Sequence, residues 1–282
     1  MEHRTPPAIA VHGGAGNLGP DDPASFGADA PRLRGVREAA RAGWEVLARR
    51  GSALDAVETA VRILEDDPTY NAGTGACLTA TGEVELDAAI MDGATLRCGA
   101  VAVVKDVKNP VILARRVMER SEHVLLAGPG ASTFARSVGL PPYDGALLAT
   151  PEQRARWERL CLAQGQPDEA TLSPPPKGTV GAVARDHHGH LAAATSTGGM
   201  AMKRPGRVGD TPIIGCGTYA DDALAAVVHR PRRAHHPAHP RPPLRGPGGP
   251  GALGHGGSEG GPLAPRRPGP GRGRPHRAGP PG

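Results

Sequence analysis

The sequence predicts an α+β protein in which antiparallel sheets carry helices on their outer faces. Short runs of small and β-branched residues outnumber the helical segments between them, and tight turns join several of these runs. This pattern favours antiparallel sheets over a doubly wound parallel sheet, in which strands and helices alternate. With 282 residues, the chain has room for one large domain or two small ones.

The composition changes sharply near residue 229. Of the 41 glycines and 31 prolines in the chain, 14 of each fall within residues 229–282. That stretch has ten arginines and one acidic residue, Glu259, so it carries about +9 whereas residues 1–228 carry about −4. The net positive charge of the chain therefore arises from this tail, and it does not indicate that residues 1–228 bind nucleic acid. Because the tail lacks aromatic residues and has little apolar surface to bury, we expect residues 229–282 to be disordered and to bind no specific nucleic acid.

Cysteine usage and hydropathy indicate the compartment. The four cysteines lie far apart and form no C-x-x-C pair, which is typical of reduced thiols in a cytoplasmic protein. No charged and apolar targeting segment opens the sequence, and no run of about 18 apolar residues is present. The sequence therefore predicts a cytoplasmic protein without a membrane partner.

The spacing of apolar residues, together with capping and turn residues, predicts the helices and strands in chain order. A serine cap and an apolar stripe at i, i+3, i+4 spacing mark a helix over 53–66, and its stripe is expected to be core. The other predicted helices cover 32–50, 110–120, 131–137 and 151–164. Strands are predicted over 8–11, 97–104 and 124–127, with hairpins over 76–91 and 179–197.

The stretch around Thr179 stands where a polar, proline-rich linker meets a predicted strand. One interpretation is a glycine turn followed by a β-branched strand start. In the other, cleavage of the Gly178–Thr179 bond frees an α-amine beside the threonine hydroxyl. An α-amine has a pKa of about 8, so it can accept the hydroxyl proton near neutral pH and activate this weak nucleophile.

Two further patterns carry chemistry. Thr195 and Thr197 share one face of their predicted strand, and Ser196 takes the other. Arg207 and Asp210 lie three residues apart in a glycine-flanked loop. A guanidinium binds a carboxylate through two hydrogen bonds and a carboxylate binds an ammonium, so this pair suits the head group of an amino acid. A surface ion pair of little energetic weight is the alternative.

Six stretches in chain order carry a family resemblance: HGGAG from His12, DPTYNAGTGA from Asp67, ELDAAIMDG from Glu85, KGTVGAVA around Thr179, ATSTGGM from Ala194 and RPGRVGDTPIIGCGTYADD from Arg204. Together they resemble the plant-type asparaginases, also called isoaspartyl peptidases, which are N-terminal-nucleophile hydrolases. The resemblance extends from about Ala8 to about Val227. It implies a four-layer αββα sandwich, truncated here at its C-terminal end.

The resemblance also implies roles and boundaries. It makes Thr179 the nucleophile, Gly178–Thr179 the self-cleaved bond, Thr197 a second catalytic threonine, and Asn71 a supporting residue. Arg207 and Asp210 become substrate ligands for asparagine and β-aspartyl dipeptides. Residues 1–178 then form the α subunit, with a mobile linker over about 140–178. Residues 179–228 begin the β subunit, and two cleaved αβ units are expected to dimerise.

A structural sodium ion is the single cofactor that the resemblance implies. Backbone carbonyls of an irregular loop would hold it, since such oxygens suit a hard cation. The matching positions are Leu64, Glu65, Asp67, Tyr70, Ala72 and Thr74. A capped loop without an ion is the alternative.

The sequence departs from the family after Asp222. The family supplies its oxyanion donors from a Thr-Gly pair in a C-T-G-x-G-E type motif, and no such motif follows here. We therefore expect impaired activity, and we hypothesise a shifted reading frame after about Val227. The alternatives are an inactive remnant of the family, a glycosylasparaginase or threonine endopeptidase relative, and a non-catalytic protein whose basic tail binds phosphates.

Overall fold

A six-stranded sheet forms the centre of the described structure. The computed structural model describes residues 6–14, 31–163 and 178–227. All of them belong to one compact unit that ends at Ala234, and a second unit, His235–Gly282, lies outside the described residues. The predicted tail, residues 229–282, therefore lies outside them as well.

The described helices are α1 (Pro31–Ala48), α2 (Ala53–Asp66), α3 (Pro110–Arg120), α4 (Gly128–Ser137) and α5 (Pro151–Leu162), with a short 3-10 turn at Gly145–Leu148. The described strands are β1 (Ala8–His12), β2 (Leu86–Asp92), β3 (Cys98–Val104), β4 (Leu125–Ala127), β5 (Val180–Arg185), β6 (Leu191–Thr197), β7 (Thr218–Ala220) and β8 (Ala225–Val227).

The order of the large sheet is β1-β5-β6-β2-β3-β4, and β7 and β8 form a separate two-stranded sheet. Every described pairing in the large sheet is antiparallel except that of β3 with β4. The strand that carries Thr197, β6, and the strand that Thr179 directly precedes, β5, are thus inner strands of the sheet. This mixed arrangement confirms the predicted combination of helices with mainly antiparallel sheet.

The two faces of the large sheet have different partners. Ala192 and Ala194 of β6 pack into a cluster with apolar residues of α1 to α4. Ala193, between them, packs against Ala220 of the two-stranded sheet instead. Because side chains alternate along a strand, β6 separates a helical layer from a second sheet. Among the described residues, this gives three stacked layers.

Local signals place the helices as predicted. Ser52 accepts a hydrogen bond from the Asp55 backbone N–H at 3.1 Å and caps α2. Thr150 caps α5 in the same way, through the Gln153 N–H at 3.3 Å. The predicted apolar stripe of α2 is fully or almost fully buried: Ala53, Ala56, Val57, Ala60, Val61 and Leu64.

Two predicted segments differ in the structure. The first arm of the hairpin predicted over 76–91 is not a continuous strand, because it forms only two isolated bridges, Leu78 with Val84 and Thr79 with Lys203. Residues 140–163 of the predicted linker pack on the body, with Leu148 fully buried and the Trp157 indole N–H donating to the Thr79 carbonyl at 2.9 Å. The remainder of that linker, 164–177, lies outside the described residues.

Candidate active site

The structure brings Thr179 and Thr197 together at one end of the central strands. Thr179 directly precedes β5, and Val180 pairs with Ser196 in the ladder. The Thr179 Oγ1 donates to the Thr197 Oγ1 at 3.3 Å, and only 7% of Thr179 is exposed. Two hydroxyls that are distant in sequence are therefore neighbours in a buried environment.

Thr197 and Ser196 are neighbours in β6 and lie on opposite faces of the sheet, as the alternation along the strand predicted. The Thr197 Oγ1 also accepts the Gly199 N–H at 3.0 Å, on the face that carries the second sheet. Ser196, on the helical face, adjoins the carboxyl group of Glu65. Burial raises the pKa of Glu65 to about 8, so that this carboxyl group is largely neutral at pH 7. Ser196 and Glu65 therefore belong to the interior and not to the threonine site.

The glycine turn after β1 lies against the bond predicted to be cut. A Cβ atom added to Gly14 would lie 2.8 Å from both the Cα and the carbonyl carbon of Gly178. Gly14 also has a φ of +99°, a conformation that side chains rarely adopt. Glycine at this position therefore permits the close approach of the turn to Gly178.

We expect Gly14→Ala to slow the predicted cleavage between Gly178 and Thr179 by about 100-fold, because displacing reacting groups by about 1 Å has an effect of that size. The matched control is Gly189→Ala, at a φ of +88° with no atom near its added Cβ. Both variants bear a similar backbone strain of about 1–2 kcal/mol. Time-resolved electrophoresis measures cleavage, and equal rates for the two variants would contradict this role for Gly14.

Asn71 connects the predicted sodium loop to the segment that follows Thr197. Its side chain is fully buried, and its Nδ2 donates to the Gly199 carbonyl at 2.7 Å. Its Oδ1 accepts the Cys77 N–H at 2.8 Å, and its carbonyl accepts the Gly198 N–H at 2.8 Å. These contacts hold the Gly198–Gly199 turn, which directly follows Thr197.

Arg207 and Asp210 lie in the same loop but do not pair with each other. The described ion pairs do not include one between them. Nη1 of Arg207 is 3.4 Å from the position of a Cβ on Gly199, next to the threonine pair. The Oδ2 of Asp210 is buried and receives no hydrogen bond from a described residue. The alternative of a surface ion pair is thus not observed.

Three charged residues near this loop are buried and were not among the predicted site residues. Glu85, Asp87 and Lys203 are 1%, 0% and 5% exposed. Burial raises the pKa of Asp87, which the Lys203 ammonium opposes, and burial lowers the pKa of Lys203, which the carboxylates of Asp87 and Glu85 oppose. Charged residues at alternate positions of the apolar ELDAAIMDG stretch were the available signal, since a strand places both on one face.

The described ranges contain no group of three or more histidine, cysteine or acidic side chains arranged to bind a metal ion. Over the same ranges, no helix combines the length and apolar character of a membrane-spanning segment.

Known proteins resemble this chain over most of its length. The family model described as Asparaginase matches residues 5–229. An isoaspartyl peptidase/L-asparaginase of Danio rerio is 48% identical over 227 residues, covering 78% of this chain and 69% of the relative. A plant-type L-asparaginase of Pyrococcus abyssi is 50% identical over 230 residues, covering 78% and 72%. An isoaspartyl peptidase of Salmonella typhimurium is 48% identical over 229 residues, covering 78% and 71%.

The mixed α/β fold and the similarity to these enzymes identify a hydrolase. The chain belongs to the asparaginase family, as the sequence motifs predicted. The family match ends at residue 229, where the arginine-, proline- and glycine-rich composition begins.

Proposed function

We propose that the chain is a self-cleaving amidohydrolase that acts on the side-chain amide of L-asparagine and on β-aspartyl dipeptides. The observation that carries this proposal is the buried Thr179 hydroxyl, 3.3 Å from that of Thr197, with the Gly14 turn against the preceding residue. The relatives are named asparaginases and isoaspartyl peptidases, which supports the same substrates here.

The first stage would cut the chain. The Thr179 hydroxyl attacks the Gly178 carbonyl carbon, the C–N bond between these residues breaks, and the acyl group moves to the hydroxyl oxygen as an ester. Water hydrolyses the ester and leaves a carboxylate on Gly178 and a free α-amine on Thr179. That amine, with a pKa of about 8, can then accept the proton of its own hydroxyl.

The second stage would hydrolyse the substrate. The Thr179 oxygen attacks the side-chain carbonyl of the substrate, ammonia or an amine leaves with a proton, and water releases the acyl group as a carboxylate. The Arg207 guanidinium binds the α-carboxylate of the substrate, and the unpaired Asp210 Oδ2 binds its α-ammonium. The two catalytic stages thus use one nucleophile.

The finer architecture follows from this mechanism. We propose that residues 1–178 form the α subunit and that residues 179–228 begin the β subunit of a four-layer αββα sandwich. The described helical layer and two stacked sheets are consistent with it. Dimerisation of two αβ units remains a prediction.

We further propose that hydrolysis by this chain is slow. Both stages create an oxyanion, and no threonine follows Thr218 in the sequence to supply the family's Thr-Gly donor pair. Loss of one such donor lowers a rate by about 100- to 1,000-fold. A shifted reading frame after about Val227 remains our explanation, and the end of the family match at residue 229 supports it. Resequencing that finds an uninterrupted frame for this tail would contradict it.

Ammonia release from L-asparagine, and amino-acid release from β-aspartyl dipeptides, test the proposed activity. We expect a rate about 100- to 1,000-fold below that of the Salmonella typhimurium relative measured in parallel. An equal rate would contradict the proposed loss of oxyanion donors. No release over long incubation, from protein whose fold is intact, would contradict the activity and favour an inactive family remnant.

A structural sodium ion remains a proposal that the loop between α2 and β2 supports. A Cβ added to Gly75 would overlap the carbonyl oxygens of Pro68 and Tyr70, so the loop curls with oxygens close together. No described donor reaches the carbonyls of Tyr70, Ala72 or Thr74. These three carbonyls, with those of Leu64, Glu65 and Asp67, would hold the ion, which would fix the loop that carries Asn71.

We expect the melting temperature to be about 2–4 °C higher in sodium chloride than in choline chloride at equal ionic strength, because an ion that binds the folded state stabilises it. Differential scanning calorimetry measures this difference. Identical melting temperatures in the two salts would argue for a loop without an ion.

A further inference from the structure

Two buried carboxylates of one strand segment have no part in the proposed mechanism. Glu85 directly precedes β2 and Asp87 lies within it, with exposures of 1% and 0%. Burying an ionised carboxylate is costly unless charges and hydrogen bonds compensate. The partners of these two residues therefore indicate why the fold retains them.

Asp87 is next to Thr197 in the sheet. It is the ladder partner of Thr197 on the adjacent strand β6. Directly opposed residues of antiparallel strands have Cβ atoms about 4.5–5.5 Å apart, so the Asp87 side chain adjoins that of Thr197. Asp87 therefore occupies the wall of the site.

Asp87 also accepts hydrogen bonds from two separate backbone segments. Its Oδ1 accepts the Val103 N–H at 2.9 Å, and its Oδ2 accepts the Gly209 N–H at 3.5 Å. Val103 has a φ of +57°, which is an outlier for a β-branched residue, and the β2–β3 register shifts between Leu86 and Ala88. Such strain persists only where the surroundings impose it. Asp87 therefore links an irregular part of the sheet to the loop of residues 203–210, which carries Arg207 and Asp210 and is called the substrate loop below.

Glu85 holds the same loop on the other side of Arg207. Its Oε2 accepts the Gly206 N–H at 2.9 Å, and its carbonyl accepts the Lys203 ammonium at 2.8 Å. The two carboxylates thus accept backbone hydrogen bonds from Gly206, one residue before Arg207, and from Gly209, two residues after it. Nη1 of Arg207 lies 3.1 Å from the position of a Cβ on Gly209, so the guanidinium packs against the backbone that Asp87 binds.

We propose that Glu85 and Asp87 form an acidic clamp that positions Arg207, and with it the site for the substrate α-carboxylate, relative to Thr197. The proposal rests on the proposed function, because it assigns Arg207 to substrate binding. Glu85 and Asp87 are positioning residues, since they act through the loop. The buried Lys203 supplies a compensating positive charge beside them.

The Asp87→Asn variant tests the clamp. An amide has one oxygen, so its NH2 group faces one of the two N–H donors that the carboxylate satisfies. The longer bond, to Gly209, is expected to be lost first. The matched control is Asp92→Asn, at the far end of the same strand, where the carboxylate accepts the Ala94 N–H at 3.1 Å and the Thr95 hydroxyl at 2.7 Å.

We expect amide hydrogen exchange at Gly209 to be about threefold faster in Asp87→Asn and unchanged in Asp92→Asn, because a hydrogen bond as long as 3.5 Å contributes less than one of ordinary length. Glu85→Gln should accelerate Gly206 instead, and it serves as the second test if Asp87→Asn does not fold. Unchanged exchange at both glycines would overturn the clamp. Exchange that accelerates equally throughout β5 and β6 would also overturn it, because that pattern indicates general destabilisation.

Kinetics separate positioning from a structural role. We expect Asp87→Asn to raise the KM for L-asparagine about tenfold and to change kcat less than KM, because the loop that it holds carries Arg207, which binds the substrate. A KM equal to that of Asp92→Asn, from an active unmodified chain, would overturn the inference and leave the proposed function intact. Failure of the unmodified chain to cleave itself or its substrate would overturn the proposed function, and hydrogen exchange alone would then decide whether the clamp holds the loop.

Discussion

Replacing Thr179 with alanine is expected to abolish both self-cleavage and hydrolysis. The variant loses the hydroxyl that donates to Thr197 while it keeps the backbone in place. Removal of a nucleophile of this kind lowers the rate by about 10⁴-fold or more. Electrophoresis should therefore show one intact chain, and ammonia release from L-asparagine should be undetectable.

Thr179→Ser is the matched control for this prediction. Serine retains a hydroxyl at the same position and should therefore retain cleavage between residues 178 and 179. Cleavage at this bond in Thr179→Ala, in protein free of contaminating proteases, would assign the cut to another agent. Hydrolysis by that variant at the rate of the unmodified chain would remove Thr179 from the mechanism.

Replacing Arg207 with alanine is expected to lower kcat/KM for L-asparagine by about 100-fold, with self-cleavage unaffected. Truncating one partner of a buried charged contact costs about 2–5 kcal/mol. Self-cleavage needs no free amino-acid head group, so it should not depend on Arg207. Arg207→Lys should restore only part of the activity, because an ammonium lacks the planar pair of donors.

Arg204→Ala is the matched control in the same loop, since Arg204 is an exposed arginine three residues earlier. It should leave kcat/KM within about twofold of the unmodified chain, as surface substitutions generally do. Asp210→Asn should lower kcat/KM for L-asparagine to a similar extent as Arg207→Ala, because the buried Oδ2 of Asp210 binds the substrate ammonium in the proposed complex. Equal kinetics for Arg204→Ala and Arg207→Ala would contradict the assignment of Arg207 to the substrate.

The sequence predicted most of the fold because its local signals are strong. The apolar stripe, serine cap and Asp-Pro end of α2 agree with one another, and the helix has the predicted bounds, Ala53–Asp66. Residues 76–80 had the composition of a strand, but the structure forms only isolated bridges there, Leu78 with Val84 and Thr79 with Lys203, and Ala80 also donates a backbone hydrogen bond to Lys203. Tertiary contacts with the substrate loop therefore override the local β preference there.

The candidate site could be proposed from the sequence because its motifs together resemble those of one family. A threonine after a linker, or an arginine with an aspartate three positions on, has an ordinary structural alternative when taken alone. Gly14 lies in the HGGAG motif, but its contact with Gly178 joins segments far apart in the chain and could not be predicted from that motif. Asp87 was hidden for a similar reason, because its link to Gly209 exists only after β2 and the loop meet.

Mass measurement of the purified, functioning protein under denaturing conditions tests the central claim most directly. If the α-amine of Thr179 is the base for its own hydroxyl, the active material must consist of two fragments, residues 1–178 and residues 179–282, and activity must increase with the fraction cleaved. Hydrolysis of L-asparagine by a chain that remains one uncut polypeptide would contradict the account.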